Sequence, residues 1–323
     1  MSVSDVVLAH RAKQLLVERR TRQAIAALWA RVDESNVLGS WAEQVPRATS
    51  LMRQGMRASA AGSTQFVNLT LAAQGVTPDP RGMVSAEAFA QTASDGRPLG
   101  SLMFTPAPYA RHLADAGKSP GLSLSDAGKQ LAMIVATEVA DAGRQAVNAS
   151  MVADRRVTGY FRQPGPAACA RCAVLAGIRE PTYEAAAFER HPRCQCTAVP
   201  ASEHYKANTT APSAQSYFDR LSPARQEATF GKANAQAIRD GADPAAVINA
   251  RRGMSKVGFN WTTTEGTSRR GLYGGYHIEP GKVTRRARGD KAPPRLTPAA
   301  IYKVSATREE AVALLQKYAY ILP

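Results

Sequence analysis

Residues 4–32 carry apolar and charged positions at a helical period. Leu8, Leu15, Ala24, Leu28 and Val32 can share one broad stripe, with Arg11, Lys13, Arg19, Arg20 and Arg22 mostly opposite. Ser4 or Asp5 can cap the start of this helix. A second helix is expected over residues 41–60, where small residues suit close packing, and Trp29 and Trp41 read as packing anchors. This half of the chain is predicted to be a helical bundle. Over residues 77–123 the pattern is interrupted by prolines and glycines from Pro78 to Gly121, leaving short helical stretches at 85–92 and 107–116.

Residues 125–154 read as one long helix. Ser125 or Asp126 caps it, and Leu131, Ile134, Val135, Val139, Ala142, Ala146 and Val147 form its apolar face. Glu138 and Asp141 lie among small residues there and are expected to be solvated, with pairing to a basic neighbour as the alternative. Residues 157–162 alternate as a strand does. A polar link over 201–216 follows. Ser222 and Pro223 then open a helix ending at Gly241, and Asp243 and Pro244 open another that reaches Arg251 and Arg252 and stops at Gly253. The pair has the outline of a helix-turn-helix, but short helices joined by short turns are common and do not by themselves specify DNA reading. Residues 257–288, rich in Thr, Tyr and Gly, favour a glycine-jointed hairpin or an arm. Thr307 and Glu310 make a capping box for a closing helix. The expected fold class is α+β, mainly helical. Its expected regions are an N-terminal helical part (1–120), a core (121–200), a second helical part (201–256) and a C-terminal extension (257–323).

Composition sharpens this picture. Of 323 residues, 44% are hydrophobic but only 7% aromatic, which suits helices packed through small side chains. The net charge is +15, and residues 251–323 hold 14 Lys and Arg against 5 Asp and Glu, so +9 of it lies there. Such an excess draws a chain towards polyanions or acidic protein surfaces. Arg251, Arg252, Arg269, Arg270, Arg285, Arg286 and Arg288 are the candidate nucleic-acid or partner-binding residues. Trp261, Tyr273 and Tyr276 are interleaved with them, as in surfaces that stack bases and contact phosphates. Docking on an acidic neighbouring subunit fits the same pattern. No run approaches the roughly 18 apolar residues of a membrane span, and no apolar secretory leader opens the chain.

All 4 cysteines fall in one stretch, as Cys169-x-x-Cys172 and Cys194-x-Cys196, with His191 three residues before Cys194. Two short thiol pairs and an imidazole are what a tetrahedral zinc site requires. Disulfides, redox chemistry and unliganded thiols are the alternatives. Five candidates compete for about four positions, and spacing does not choose among them. A closed four-ligand site is structural, whereas catalytic zinc keeps an open position and a nearby carboxylate base. Glu184 and Glu189 lie in the intervening loop, but their spacing aims neither at a metal-bound water.

The order of parts carries a resemblance. A long helix bearing Thr137-Glu138 is followed by a strand, then by Cys169-x-x-Cys172 with Leu175-Ala176-Gly177, then by a loop and His191-Pro192-Arg193-Cys194-Gln195-Cys196 with Pro200. Over residues 125–200 this resembles the MuF-like minor head proteins of tailed bacteriophages. Residues 230–253 and 301–321 look like the C-terminal regions of such proteins from phages of actinobacteria. The resemblance implies head morphogenesis, with a few copies entering the prohead near the portal in contact with portal, major capsid or scaffold proteins. It also implies a structural zinc knuckle, a basic tail facing DNA or neighbouring proteins, and a place in the virion after assembly in the host cytoplasm.

Related proteins are also labelled capsid maturation proteases, which is the alternative. A DNA-binding or nuclease-like packaging factor is a third reading. Protease chemistry requires a nucleophile with a base in reach. The histidines are His10, His112, His191, His204 and His277, and no HExxH motif is present. Ser123 or Ser125 with His112, or Cys169 or Cys172 with His191 or His204, are the conceivable pairs. The sequence shows no Asp/Glu metal cluster for a nuclease. A non-enzymatic role is the expectation.

Overall fold

The computed structural model describes residues 1–165, 168–180, 188, 191, 194, 196–203, 205, 213–268, 271–277 and 292–321, with backbone alone at Arg179, Tyr276 and His277. The chain is mainly helical with a few small strands, and it divides into two compact units, residues 1–167 with 178–211 and residues 168–177 with 212–323. Among the described residues no helix is long and apolar enough to cross a membrane.

The first unit begins with α1 (Val3–Trp29), α2 (Val37–Ala60) and α3 (Ser63–Ala73). The cap of α1 is Ser2 rather than Ser4 or Asp5. Its hydroxyl accepts from the Asp5 N–H at 3.2 Å while the Asp5 carboxylate accepts from the Ser2 N–H at 2.9 Å, a reciprocal box that satisfies two end groups. The inward face of α1 carries Val3, Val7, Thr21, Ile25 and Leu28, and Leu8, expected on it, is exposed. Val6 is buried beside Val7, and a further turn of about 100° per residue carries Leu8 past the edge of this face to solvent. α2 starts earlier than the apolar pattern indicates because the Asn36 side chain accepts the Gly39 N–H at 3.1 Å.

The core of this bundle forms around Trp41, which is fully buried and donates its indole N–H to the Met103 carbonyl at 2.8 Å. Trp29 meets it edge-on at 4.9 Å and donates to the Leu124 carbonyl at 3.1 Å. Ile25, Met52, Leu99, Met103, Leu131, Val135 and Val139 complete the cluster. α3 falls outside the sequence expectations although Phe66, Val67 and Leu71 give it a buried side. The interrupted region holds a 3-10 turn (Ala86–Ala90), α4 (Leu99–Phe104) and α5 (Pro106–Asp115).

The long helix, α6 (Pro120–Ala153), starts five residues before the expected cap because Pro120, which has no N–H to leave unpaired, takes its first turn after Ser119. Asp154 ends it, and its buried carboxylate accepts the N–H groups of Asp79 at 3.1 Å and Arg156 at 2.8 Å. α6 packs on α1, α2, α3 and α5. That crowding corrects the expectation for its two carboxylates: Glu138 is only 6% and Asp141 only 2% exposed. Beyond α6, β1 (Gly159–Gln163) is the central strand of a small antiparallel sheet, flanked by β2 (Arg179–Glu180) and β3 (Thr197–Ala201). Gly159 pairs with Ala201 and Gln163 with Thr197, so the register fixes where the Cys194-x-Cys196 turn meets the sheet. Gln74 secures the other end of β3 by donating to the Pro200 carbonyl at 2.7 Å and accepting from the Ser202 N–H at 3.0 Å.

In the second unit α7 (Ala170–Val174) packs with α8 (Ala214–Asp219) and with α11 (Pro244–Asn249). Between the latter two, the helix expected from Ser222 to Gly241 is two helices, α9 (Pro223–Phe230) and α10 (Lys232–Arg239). They are divided at Gly231, whose φ of 89° lies in the region that glycine alone enters cheaply. Asp243 caps α11, which stops short of Arg251 and Arg252. β4 (Met254–Val257) and β5 (Asn260–Thr263) form a hairpin over Gly258 and Phe259, so it begins three residues before the stretch where a hairpin is expected. Then come α12 (Leu272–His277), β6 (Arg295–Leu296) beside β5, α13 (Pro298–Val304) and α14 (Arg308–Lys317). Thr307 caps α14, and Glu310 answers through the Ala306 N–H at 2.8 Å rather than that of Thr307. Phe218, Phe230, Ile238, Ile301, Leu315 and Tyr320 are buried in this unit. Arg295 stacks its guanidinium on Tyr320 at 4.2 Å.

Candidate metal centre

Each thiol pair is presented by local structure. Cys169 is the N-cap of α7 and Cys172 lies in its first turn, so one short helix carries both, braced by Arg171 donating to Asn249 at 2.6 Å. The Cys194 N–H reaches the His191 carbonyl at 3.0 Å, and Cys196 directly precedes β3. Cys172, Cys194 and Cys196 are each 3% exposed, Cys169 is half-buried and His191 is exposed.

The side chains converge. One donor atom each from Cys169, Cys172 and His191 lie within 4.8 Å of one another, as do those of Cys172, Cys194 and Cys196, and Cys172 is common to both groups. A disulfide joins two sulfurs. Three sulfurs closing on one another with a fourth thiol and an imidazole beside them are instead the donor set for a thiophilic ion such as zinc, bound through thiolates and at most one neutral ring nitrogen. The five residues can therefore hold a metal ion. Glu184 and Glu189, considered as bases, and His204 lie outside the described residues.

Sequence reasoning missed what supports the cysteines. Arg144, on α6, donates through Nη1 to Asp141 at 2.7 Å, through Nε to the Cys196 carbonyl at 3.4 Å, and through Nη2 to the Cys194 carbonyl. The Asp141 side chain is buried and that of Arg144 is mostly covered, at 3% and 13% exposure. The signal available was the i, i+3 spacing of Asp141 and Arg144 on a helix leading into the cysteines, but nothing local shows what they reach.

A cavity of about 410 Å³ opens beside this pair within the first unit, between α1, α6 and the stretch from Cys194 to Ala198. Ala132, Ala136, Ala140 and Gly143 keep the α6 wall low, and His10, Arg11, Arg22 and Lys129 supply its polar lining. His10 stacks on Phe66 at 4.0 Å, and burial, reinforced by Lys13, pushes its pKa down to about 4. Of the other candidates, Arg251 is exposed and donates to the Phe230 carbonyl at 2.7 Å, and Arg252 is exposed. Arg269, Arg270, Arg285, Arg286 and Arg288 lie outside the described residues. Ser123, considered as a nucleophile, is buried and donates its hydroxyl to the Ser119 carbonyl at 3.0 Å, while His112 is exposed on α5.

Fold and cluster together define a mainly helical protein with a Cys/His group able to hold a metal ion. The chain belongs to the VG15 protein family, whose model matches residues 1–224, and membership points to a phage-encoded protein. No curated protein and no solved structure matches the chain.

Proposed function

We propose that this is a MuF-like minor capsid protein acting in phage head morphogenesis, in which one zinc ion held by four of Cys169, Cys172, His191, Cys194 and Cys196 has a structural role. The observation that carries the reading is the convergence of three buried thiols, with a fourth thiol and an imidazole alongside. Bound there, zinc would cross-link chain segments that are distant in sequence and stabilise folding directly. Four thiolates, or three with the ring nitrogen, complete a tetrahedron and leave no position for a reactive water.

The family match to residues 1–224, which contains the whole cysteine stretch, supports the phage assignment. Portal, major capsid or scaffold proteins are the proposed partners, with phage DNA as a further one, reached by the basic C-terminal region. The proposed location is the virion, in the head interior or near the portal, after assembly in the host cytoplasm.

The test is to detect the chain by mass spectrometry in purified heads of the encoding phage, and to incubate the purified protein with the major capsid precursor. Presence in heads at a few copies, with an intact precursor, is the expected result. A precursor cut by the wild-type protein would replace this reading with the capsid maturation protease. Absence from heads would contradict both and leave a packaging factor that acts transiently on DNA.

A further inference from the structure

We propose that Asp141 and Arg144 are positioning residues for the Cys194-x-Cys196 half of the metal centre, a role that rests on the metal reading above. The guanidinium reaches the carbonyls of Cys194 and Cys196 through two different N–H groups and the Asp141 carboxylate through a third. These are the carbonyls of the two candidate ligand residues themselves, so holding them constrains how the backbone aims both sulfurs.

The chain after Cys196 is already fixed, since Thr197 pairs with Gln163 at the start of the β3 ladder. On the other side the Cys194 N–H is tied to the His191 carbonyl. Arg144 fixes the direction in which the two cysteine carbonyls point. A planar fork with donors in several fixed directions does this, whereas an ammonium ion, a point charge on a flexible stem, does not.

Asp141 sets the plane of the fork. With the pair nearly excluded from water, a guanidinium lacking its carboxylate would be a buried uncompensated charge, so the two act as one unit. α6 supplies the rigidity. Glu138, about one turn before Asp141, is itself anchored by two hydrogen bonds from Ser94, so the helix carrying the fork is tied to the bundle. Groups that orient metal ligands in this way typically govern metal affinity by about 10- to 100-fold.

The experiment uses the full chain loaded with cobalt(II), whose ligand-field bands report tetrahedral geometry and whose thiolate charge-transfer band reports the number of sulfur ligands, together with competition by a chelator. Arg144→Ala is expected to bind cobalt about 10- to 100-fold more weakly with altered ligand-field bands. Arg144→Lys, which keeps the charge and loses the fork, is expected to stay below wild type, and Asp141→Asn, close to isosteric, to weaken binding with the same spectral change. Arg111→Ala, at an exposed position on α5, is the control expected to match wild type. Should Arg144→Ala fail to fold, Asp141→Asn and Arg144→Lys carry the test. Wild-type affinity and spectrum in the Arg144 and Asp141 variants would overturn the positioning role and leave the metal centre standing. A wild-type chain that takes up no cobalt would overturn the metal reading itself.

Discussion

Glu138 accepts both the backbone N–H of Ser94, at 2.7 Å, and its hydroxyl, at 3.0 Å, joining the proline-interrupted segment to the middle of α6. Burial raises the pKa of this carboxyl, against the two Ser94 hydrogen bonds that lower it. Glu138→Ala leaves a backbone donor facing protein with no acceptor. Chemical denaturation should show a loss of about 1–3 kcal/mol, and Glu138→Gln, which keeps one acceptor oxygen, should lose less.

Trp41 combines a large apolar surface with a hydrogen bond to Met103. Trp41→Ala should destabilise by about 3–5 kcal/mol, the range for emptying an aromatic site in a packed core. Trp41→Phe should fall well short of that, because the ring is largely replaced and the unpaired Met103 carbonyl dominates the loss. Thermal unfolding of the three proteins would give the order.

His10 predicts a pH dependence. Its pKa in the folded chain, about 4, lies below the ordinary 6.5, so the unfolded chain binds the proton more readily between those values. The His10 contribution to stability is therefore complete above about pH 6.5, declines as the pH falls, and is gone below about pH 4. It amounts to about 3.4 kcal/mol at most. His10→Phe, which keeps the stack on Phe66, should flatten the stability profile between pH 4 and 6.5, and an unchanged slope in that window would argue against a buried neutral imidazole.

Gly143 lies where α6 meets Gln14 of α1 and Ser59 of α2. A Cβ there would lie 2.5 Å from Ser59 Oγ and 2.8 Å from Gln14 Oε1, two atoms already joined to each other by a hydrogen bond. Gly143→Ala gains helix propensity and still should destabilise, by about 1–3 kcal/mol, because Ser59 and Gln14 must give up their mutual hydrogen bond to clear the new methyl group. A more stable variant would show that these two side chains move aside at little cost.

Much of the scaffold was legible because its signals are local. The period of α6, the caps at Ser222, Asp243 and Thr307, and the presence of β1, though it is buried on both faces rather than alternating, depend on residues within a turn or two. The cysteine cluster was legible for a different reason, since thiol pairs at such short spacing have few uses. What stayed hidden depends on distant chain. The burial of Glu138 is decided by Ser94, and the role of Arg144 by carbonyls about 50 residues away. The inward face of α1 turned on Val3 and Val7, which share the apolar pattern with Leu8 and are distinguished from it only by packing. Gly231 was hidden because a single glycine in a helical pattern is compatible with either a continuous helix or a break.

The most direct test of the metal-centre account is the metal content of the purified full-length chain, measured by elemental analysis beside Cys172→Ser, the one cysteine shared by both donor groups. The account predicts about one zinc per wild-type chain, removed by a strong chelator together with cooperative folding, and well below one in Cys172→Ser. A wild-type chain that folds cooperatively with no bound metal, and is indifferent to the chelator, would contradict it.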